Sequence, residues 1–149
     1  MVAKEHTVIR VLHQNVVNTI ERIVRYSNDS GEIMEHVANE TPYLGNNTKM
    51  LMRQCKLICK HKITDFDVIV ITNTIKELYE MYARVDSLKA SLEQVMSNKN
   101  YVNRLDFVDR FSKHKISDIL NDQLEIISEC ATNMYRKVQQ RNVSYRLIK

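Results

Sequence analysis

The chain has 149 residues, 44% of them hydrophobic and 27% charged, with two Gly, one Pro and a formal net charge of +4. Because β-sandwiches and barrels need many tight turns built from Gly and Pro, this composition argues against them and favours long helices. The length suits one domain, 1–149, with its own hydrophobic core. The positive charge permits an anionic partner without selecting one.

The first predicted elements are two helices followed by an exposed loop. Apolar residues at steps of three and four predict a helix over 4–27, which ends at the turn-forming sequence "SNDSG". A short helix is predicted over 31–40, because the residue before Pro42 is pushed away from helical geometry. The irregular stretch "TPYLGNN", residues 41–47, is expected to be exposed.

Four further helices are predicted along the rest of the chain. They cover 48–61, 65–97, 101–112 and 117–140, and the second and the last have apolar residues near heptad spacing. The β-branched run "VIVITNT" near the start of 65–97 could also suit a strand, but it lacks turn signals on both sides, so we favour a helix. The basic end of the chain, 139–149, is expected to fray.

The fold expected from these elements is all-α, an antiparallel bundle of five to six helices. Within it, 48–97 and 101–140 are candidates for two related helical hairpins. The motif "KHKITD" at 60–65 recurs as "KHKISD" at 113–118, and several flanking apolar positions also align. Common ancestry of the hairpins and the shared chemistry of helix ends are both open as explanations.

The repeated motif resembles a helix boundary more than a catalytic motif. In the first copy, Thr64 is the expected N-cap of the next helix, and Ile63 and Val68 are placed as a hydrophobic staple. In the second copy Ser117 is the expected cap, but the staple position is polar, and a helix that starts at Ser112 and continues without a break is the alternative. Lys and His before each cap are favourable there, because they lie near the negative end of the preceding helix.

The two copies also predict a basic pole. In an up-down bundle with short loops the two junctions lie at the same end, so their cations would lie close together and could bind nucleic acid or another polyanion, or anionic lipid. The predicted polyanion-binding residues are Lys60, His61, Lys62, Lys113, His114, Lys115, Arg53, Lys56 and Arg110.

No catalytic or metal site is predicted. With two isolated Gly, the chain has no nucleophile elbow, phosphate loop or dinucleotide fingerprint. Cys55, Cys59 and His61, with His114 from the second junction, have donor atoms suited to zinc, but the two Cys lie on an apolar helix stripe and lack CxxC spacing. We therefore expect no enzyme, cofactor, metal or small-molecule substrate, and the Cys residues, including Cys130, to be reduced thiols of an intracellular protein.

The remaining expectation is a binding role. The two long near-heptad helices offer more apolar surface than one small bundle needs, which predicts a self-associating module, such as a homodimer, or a helical protein partner. Frequent Asn, Ile and Lys also suit an AT-rich genome, such as that of a virus or parasite. The predicted interface residues are Ile71, Ile75, Leu78, Tyr82, Val85, Leu124, Ile127 and Met134.

Overall fold

A computed structural model describes residues 3–26, 30–101 and 104–148, and all their side chains except those of 30, 31 and 142–148. These residues form five helices and, within the described ranges, no strand. The all-α prediction is therefore confirmed. The helices are α1 (Ala3–Val24), α2 (Ser30–Lys60), α3 (Asp65–Ser97), α4 (Arg104–Lys113) and α5 (Ile116–Ile148).

The long helices pack into a ring around one core. Helix α1 contacts α2 and α3, and α5 contacts the same two helices, while the short α4 lies against α2, α3 and α5. Amphipathic helices of this kind are stable only when their apolar stripes cover one another. Buried side chains from all five helices form the core, including Ile9, Met34, Leu78, Phe107 and Leu120.

Contacts between side chains fix the direction of neighbouring helices. Glu5 in α1 contacts His61 just after α2, and Arg22 contacts Glu40 earlier in α2, so α1 and α2 run in opposite directions. Arg141 in α5 bonds Asp65 at the start of α3, as expected for two opposed helices.

Two other pairs of neighbours run in the same direction. His6 contacts Thr74 and His13 contacts Glu77, so α1 and α3 are parallel. Because α2 is opposed to α1 and α5 is opposed to α3, these directions make α2 and α5 parallel as well. The ring therefore contains two opposed pairs of neighbours, α1 with α2 and α3 with α5, and two parallel pairs, α1 with α3 and α2 with α5.

The predicted break at Pro42 is wrong, because α2 continues through it. Proline lacks a backbone N–H and normally disrupts a helix interior. Here Thr41 donates its hydroxyl proton to the carbonyl of Val37, and Thr48 does the same to Leu44. Both threonines are buried, so the apolar stripe continues across the segment that sequence analysis assigned to an exposed loop.

The boundaries of α3 confirm the predicted helix over 65–97, including its cap. The Thr64 side chain accepts a hydrogen bond from the backbone N–H of Asp67, while the Asp67 carboxylate accepts one from the Thr64 N–H. This reciprocal capping box satisfies two backbone donors that the helix would otherwise leave unpaired. The first hexapeptide is thus a helix start.

The second hexapeptide is built differently. Helix α5 begins at Ile116, before the predicted cap Ser117, and Lys115 has a positive φ of 54°. A residue in this left-handed region is a common way to end a helix, here α4. The hairpin candidates also have unequal first helices, with 31 residues in α2 and 10 in α4.

Other predicted boundaries shift by several residues. Helix α1 ends at Val24 rather than near 27, and α5 continues to Ile148 rather than ending near 140. The predicted turn at 27–29 and the predicted helix residues 102 and 103 lie outside the described ranges. The break predicted after 97 agrees with the C-cap at Asn98.

Candidate interaction surface

The predicted interface residues lie mainly inside the chain's own core. All of them except Tyr82 are buried, and Ile71, Leu78 and Val85 have no exposed surface. The near-heptad seams of α3 and α5 pack against each other and against the rest of the bundle, so they are not available to a second chain. Sequence analysis identified two real apolar seams but not what covers them.

The surface between α3 and α5 instead displays tyrosines. Tyr79, Tyr135 and Tyr82 are 62%, 52% and 38% exposed. A groove of about 180 Å³ lies between the two helices, next to Tyr79 and Tyr82. The groove is lined by Leu78, Tyr79, Tyr82, Ile127, Ser128 and Ala131. Exposed tyrosines beside an apolar groove are typical of protein interfaces.

An exposed stripe of residues flanks the groove on each helix. We call the two stripes together the tyrosine face. Steps of three and four residues place each stripe along one side of its helix. All of the stripe residues are exposed. The α3 stripe is Lys76, Tyr79, Ala83 and Asp86, and the α5 stripe is Ser128, Thr132 and Tyr135.

The α3 stripe has symmetric spacing, and its residues on the two sides of the centre are complementary in size and charge. Its spacing is three, four and three residues, with Lys76 at one end, Asp86 at the other, and Tyr79 and Ala83 between them. A large side chain and a small one therefore lie on either side of the centre, and opposite charges lie at the two ends. Such a stripe is complementary to a reversed copy of itself.

Sequence analysis missed most of this face because it searched for apolar seams. Tyr79, Ala83 and Lys76 fall between the buried positions of α3, and only their exposure together distinguishes them from an ordinary solvated side. The available signal was a pair of tyrosines three residues apart, Tyr79 and Tyr82, with the small Ala83 next to them.

The predicted polyanion-binding residues do not form one pole. At about 1.5 Å per residue, the 31-residue α2 is about 46 Å long. Lys60 and Lys62 lie at its end, whereas Arg110, three residues before Lys113, donates a 2.6 Å hydrogen bond to Glu35 near its beginning. The structure therefore places the two junctions at opposite ends of the bundle, because α2 and α5 are parallel.

The histidines of the two junctions also have separate surroundings. His61 lies 3.3 Å from a Glu5 carboxylate oxygen, and the charge of His114 acts on Glu35. Arg53 is exposed on α2, while Lys56 lines the cavity between α2 and α5. Consequently, the hypothetical zinc set of Cys55, Cys59, His61 and His114 does not come together either.

One cluster in the described part of the chain has donor atoms close enough for a metal ion. His13, Glu77 and Glu80 each offer one such atom, all within 4.8 Å of one another. However, the His13 ring already contacts the Glu77 carboxylate, and the Arg10 guanidinium lies 4.0 Å from that same side chain. These contacts account for the cluster as polar contacts that fasten α1 to α3.

Burial and charge shift the pKa of a second histidine at this helix pair. Burial, followed by the positive charge of Arg10, holds the pKa of His6 below its ordinary value of 6.5, although Glu77 acts in the opposite direction. The neutral ring contacts the Thr74 hydroxyl. The arrangement joins α1 to α3.

Among the described residues, no helix combines the length and apolar character needed to cross a membrane. Neither a family model, nor a curated protein, nor a solved structure matches the chain.

Proposed function

We propose that the chain is a non-enzymatic helical interaction module that self-associates through its tyrosine face. The observation that carries this proposal is the self-complementary stripe on α3, with Tyr79 beside Ala83 and with Lys76 and Asp86 at its ends. The partner is therefore a second copy of the chain, and its α3 runs in the opposite direction.

The pairing follows from two-fold symmetry. In such an interface, if one residue contacts another across the axis, the reverse contact occurs as well. With the axis between Tyr79 and Ala83, each tyrosine packs over the small alanine of the other copy. Each Lys76 then faces Asp86 of the other copy, and both contacts occur twice.

The α5 side of the face supplies contacts of lower charge. Ser128 and Thr132 are small and polar, and the aromatic Tyr135 is half-exposed next to them. Aromatic side chains surrounded by small, weakly charged neighbours can exclude water at the centre of an interface. The outer side of α2, by comparison, has four exposed cations, Lys49, Arg53, Lys56 and Lys60.

Sedimentation velocity over a wide range of concentrations tests the proposal. The wild-type chain should shift from monomer to dimer as its concentration rises. Tyr79→Ala should raise the dissociation constant at least tenfold, because truncating an interface tyrosine of this kind costs about 2 kcal/mol. Ala83→Arg should leave only monomer, since the long cation occupies the space that the tyrosine requires.

Tyr43→Ala is the matched control, because Tyr43 is 61% exposed but lies on α2, away from the tyrosine face. This variant should dimerise like the wild type. A wild-type chain that stays monomeric at every concentration would reject self-association. Equal effects of the Tyr79 and Tyr43 substitutions would reject this face as the interface.

Polyanion binding is the alternative proposal, supported by the net charge of +4 and by four exposed lysines, Lys60, Lys62, Lys113 and Lys115. Because the junctions lie at opposite ends, each would bind phosphates separately. Fluorescence anisotropy with single-stranded oligonucleotides at low salt tests this. Replacing either lysine pair by Glu should weaken binding, with additive effects for such distant sites. Unchanged affinity in both variants would exclude the alternative.

A further inference from the structure

The three cysteines of the chain converge on one cavity. Cys55 and Cys59 lie one turn apart on α2, and Cys130 lies on α5. All three line a cavity of about 330 Å³ between these helices. Sequence analysis grouped Cys55 with Cys59 but not with Cys130, because nothing in the spacing of Cys130 relates it to the other two.

Two of these thiols influence each other across the helix pair. Cys55 and Cys130 are each only 4% exposed, and each affects the pKa of the other. A thiolate and not a thiol is the nucleophile, so the pKa of each sulfur bears on which of them attacks.

The two thiols have opposite pKa shifts. The hydrogen bond from Cys55, with help from the positive charge of Lys56, lowers the pKa of Cys130. The same bond and then burial raise the pKa of Cys55. Burial also raises the pKa of Cys59. Of the three sulfurs, Cys130 is the one whose pKa is lowered.

The cavity gives small molecules access to these buried sulfurs. Its polar lining contains three cations, Lys56, Arg136 and Lys137, against one carboxylate, Glu129. An electropositive and partly open setting of this kind favours thiolate chemistry. The volume is ample for a hydroperoxide, which needs little more space than a water molecule.

We propose that Cys130 and Cys55 are a hydroperoxide-sensitive pair that forms a disulfide between α5 and α2. The Cys130 thiolate attacks one oxygen of hydrogen peroxide, the O–O bond breaks, and hydroxide leaves. The sulfur of Cys130 is thereby oxidised to a sulfenic acid, while the peroxide is reduced.

The second step joins the two helices. The Cys55 sulfur attacks the Cys130 sulfur, the S–O bond breaks, and the departing hydroxide leaves as water with the thiol proton of Cys55. In sum, two thiols and one hydrogen peroxide give one disulfide and two molecules of water. The product fixes α2 to α5 along the cavity, and it should raise the midpoint of thermal unfolding by constraining the unfolded chain.

Peptide mapping by mass spectrometry tests the pairing directly. The folded full-length chain is treated with increasing hydrogen peroxide, and the remaining thiols are blocked with N-ethylmaleimide before digestion. The expected result is an intramolecular peptide link between Cys55 and Cys130, with Cys59 alkylated. A link that contains Cys59, a link between two chains, or full alkylation of all three thiols would overturn the proposal.

Three serine variants give matched controls. Cys59→Ser should form the same link as the wild type, whereas Cys130→Ser should form none. Cys55→Ser should accumulate a sulfenic acid at Cys130, which dimedone traps. Circular dichroism checks that each variant is folded, and the wild-type map decides the proposal even if a variant is not. Because the link lies within one chain, its formation does not depend on self-association.

Discussion

Arg110 on α4 donates a 2.6 Å hydrogen bond to Glu35 near the start of α2. This single contact shows why the two basic junctions are not neighbours. It holds the end of α4 at the beginning of a long helix whose other end leads into the first junction. Because α2 and α5 are parallel, the two basic junctions lie at opposite ends of the bundle, although sequence analysis predicts that they lie at the same end.

The same contact predicts a change in the titration of Glu35. The Arg110 hydrogen bond and charge hold the pKa of this carboxyl below its usual range. In Arg110→Gln, that pKa should rise towards the ordinary value, as followed by carboxyl-carbon NMR. Because the pKa of Glu35 is lower in the folded chain, the contact stabilises the fold at pH values above the unfolded-state pKa of Glu35. This stabilisation is lost as the pH falls through the folded-state pKa. An unchanged Glu35 titration would contradict the contact.

The capping box predicts different effects at the two hexapeptides. Thr64→Ala should lower the free energy of unfolding by about 1 kcal/mol, because it removes the side-chain acceptor of the N-cap. Ser117→Ala, inside the first turn of α5, should change it by less than about 0.5 kcal/mol. Urea denaturation compares both variants with the wild type. Equal losses would contradict the assignment of Thr64 as the true cap.

Gly45 should be replaceable with a gain in stability. It lies inside α2, and a Cβ added there would meet no atom within 4 Å outside its immediate helix surroundings. Gly45→Ala should therefore raise the free energy of unfolding by about 0.5–1 kcal/mol, because alanine loses less backbone entropy in a helix. Denaturation of the variant measures this gain. A loss of stability would indicate that the helix does not continue through this segment.

His6 predicts a pH dependence of folding. Because burial lowers its pKa below the value of 6.5, the unfolded chain binds a proton more readily than the folded one. The stabilisation is full above the unfolded pKa and is lost as pH falls through the folded value. His6→Gln should make the free energy of unfolding less dependent on pH in this range. Identical slopes for variant and wild type in denaturation experiments would contradict this.

Capping and turn-forming residues predicted the helix boundaries that depend only on neighbouring residues in the chain. The bounds of α3 follow from Thr64 at its start and from the polar residues that begin at Asn98, its C-cap. The continuity of α2 was missed because Pro42 was given more weight than the pattern around it. Val37, Leu44 and Leu51 continue the stripe at seven-residue spacing, and the buried threonines Thr41 and Thr48 fill the positions between them.

The candidate sites were less predictable because they depend on which helices are neighbours. Spacing within α3 gave its apolar seam correctly, but only the packing of α5 shows that this seam is internal. The meeting of Cys55 with Cys130 likewise depends on the parallel arrangement of α2 and α5. Periodicity within one helix contains no information about such pairs.

The most direct test of self-association through α3 is a charge-reversal cycle, measured as the dimer dissociation constant by sedimentation equilibrium. Lys76→Asp and Asp86→Lys each place like charges opposite one another and should weaken the dimer about tenfold. The double variant restores opposite charges in reversed positions and should regain near wild-type affinity. If the double variant is instead as weak as the sum of the two single effects, Lys76 and Asp86 do not face each other across the interface.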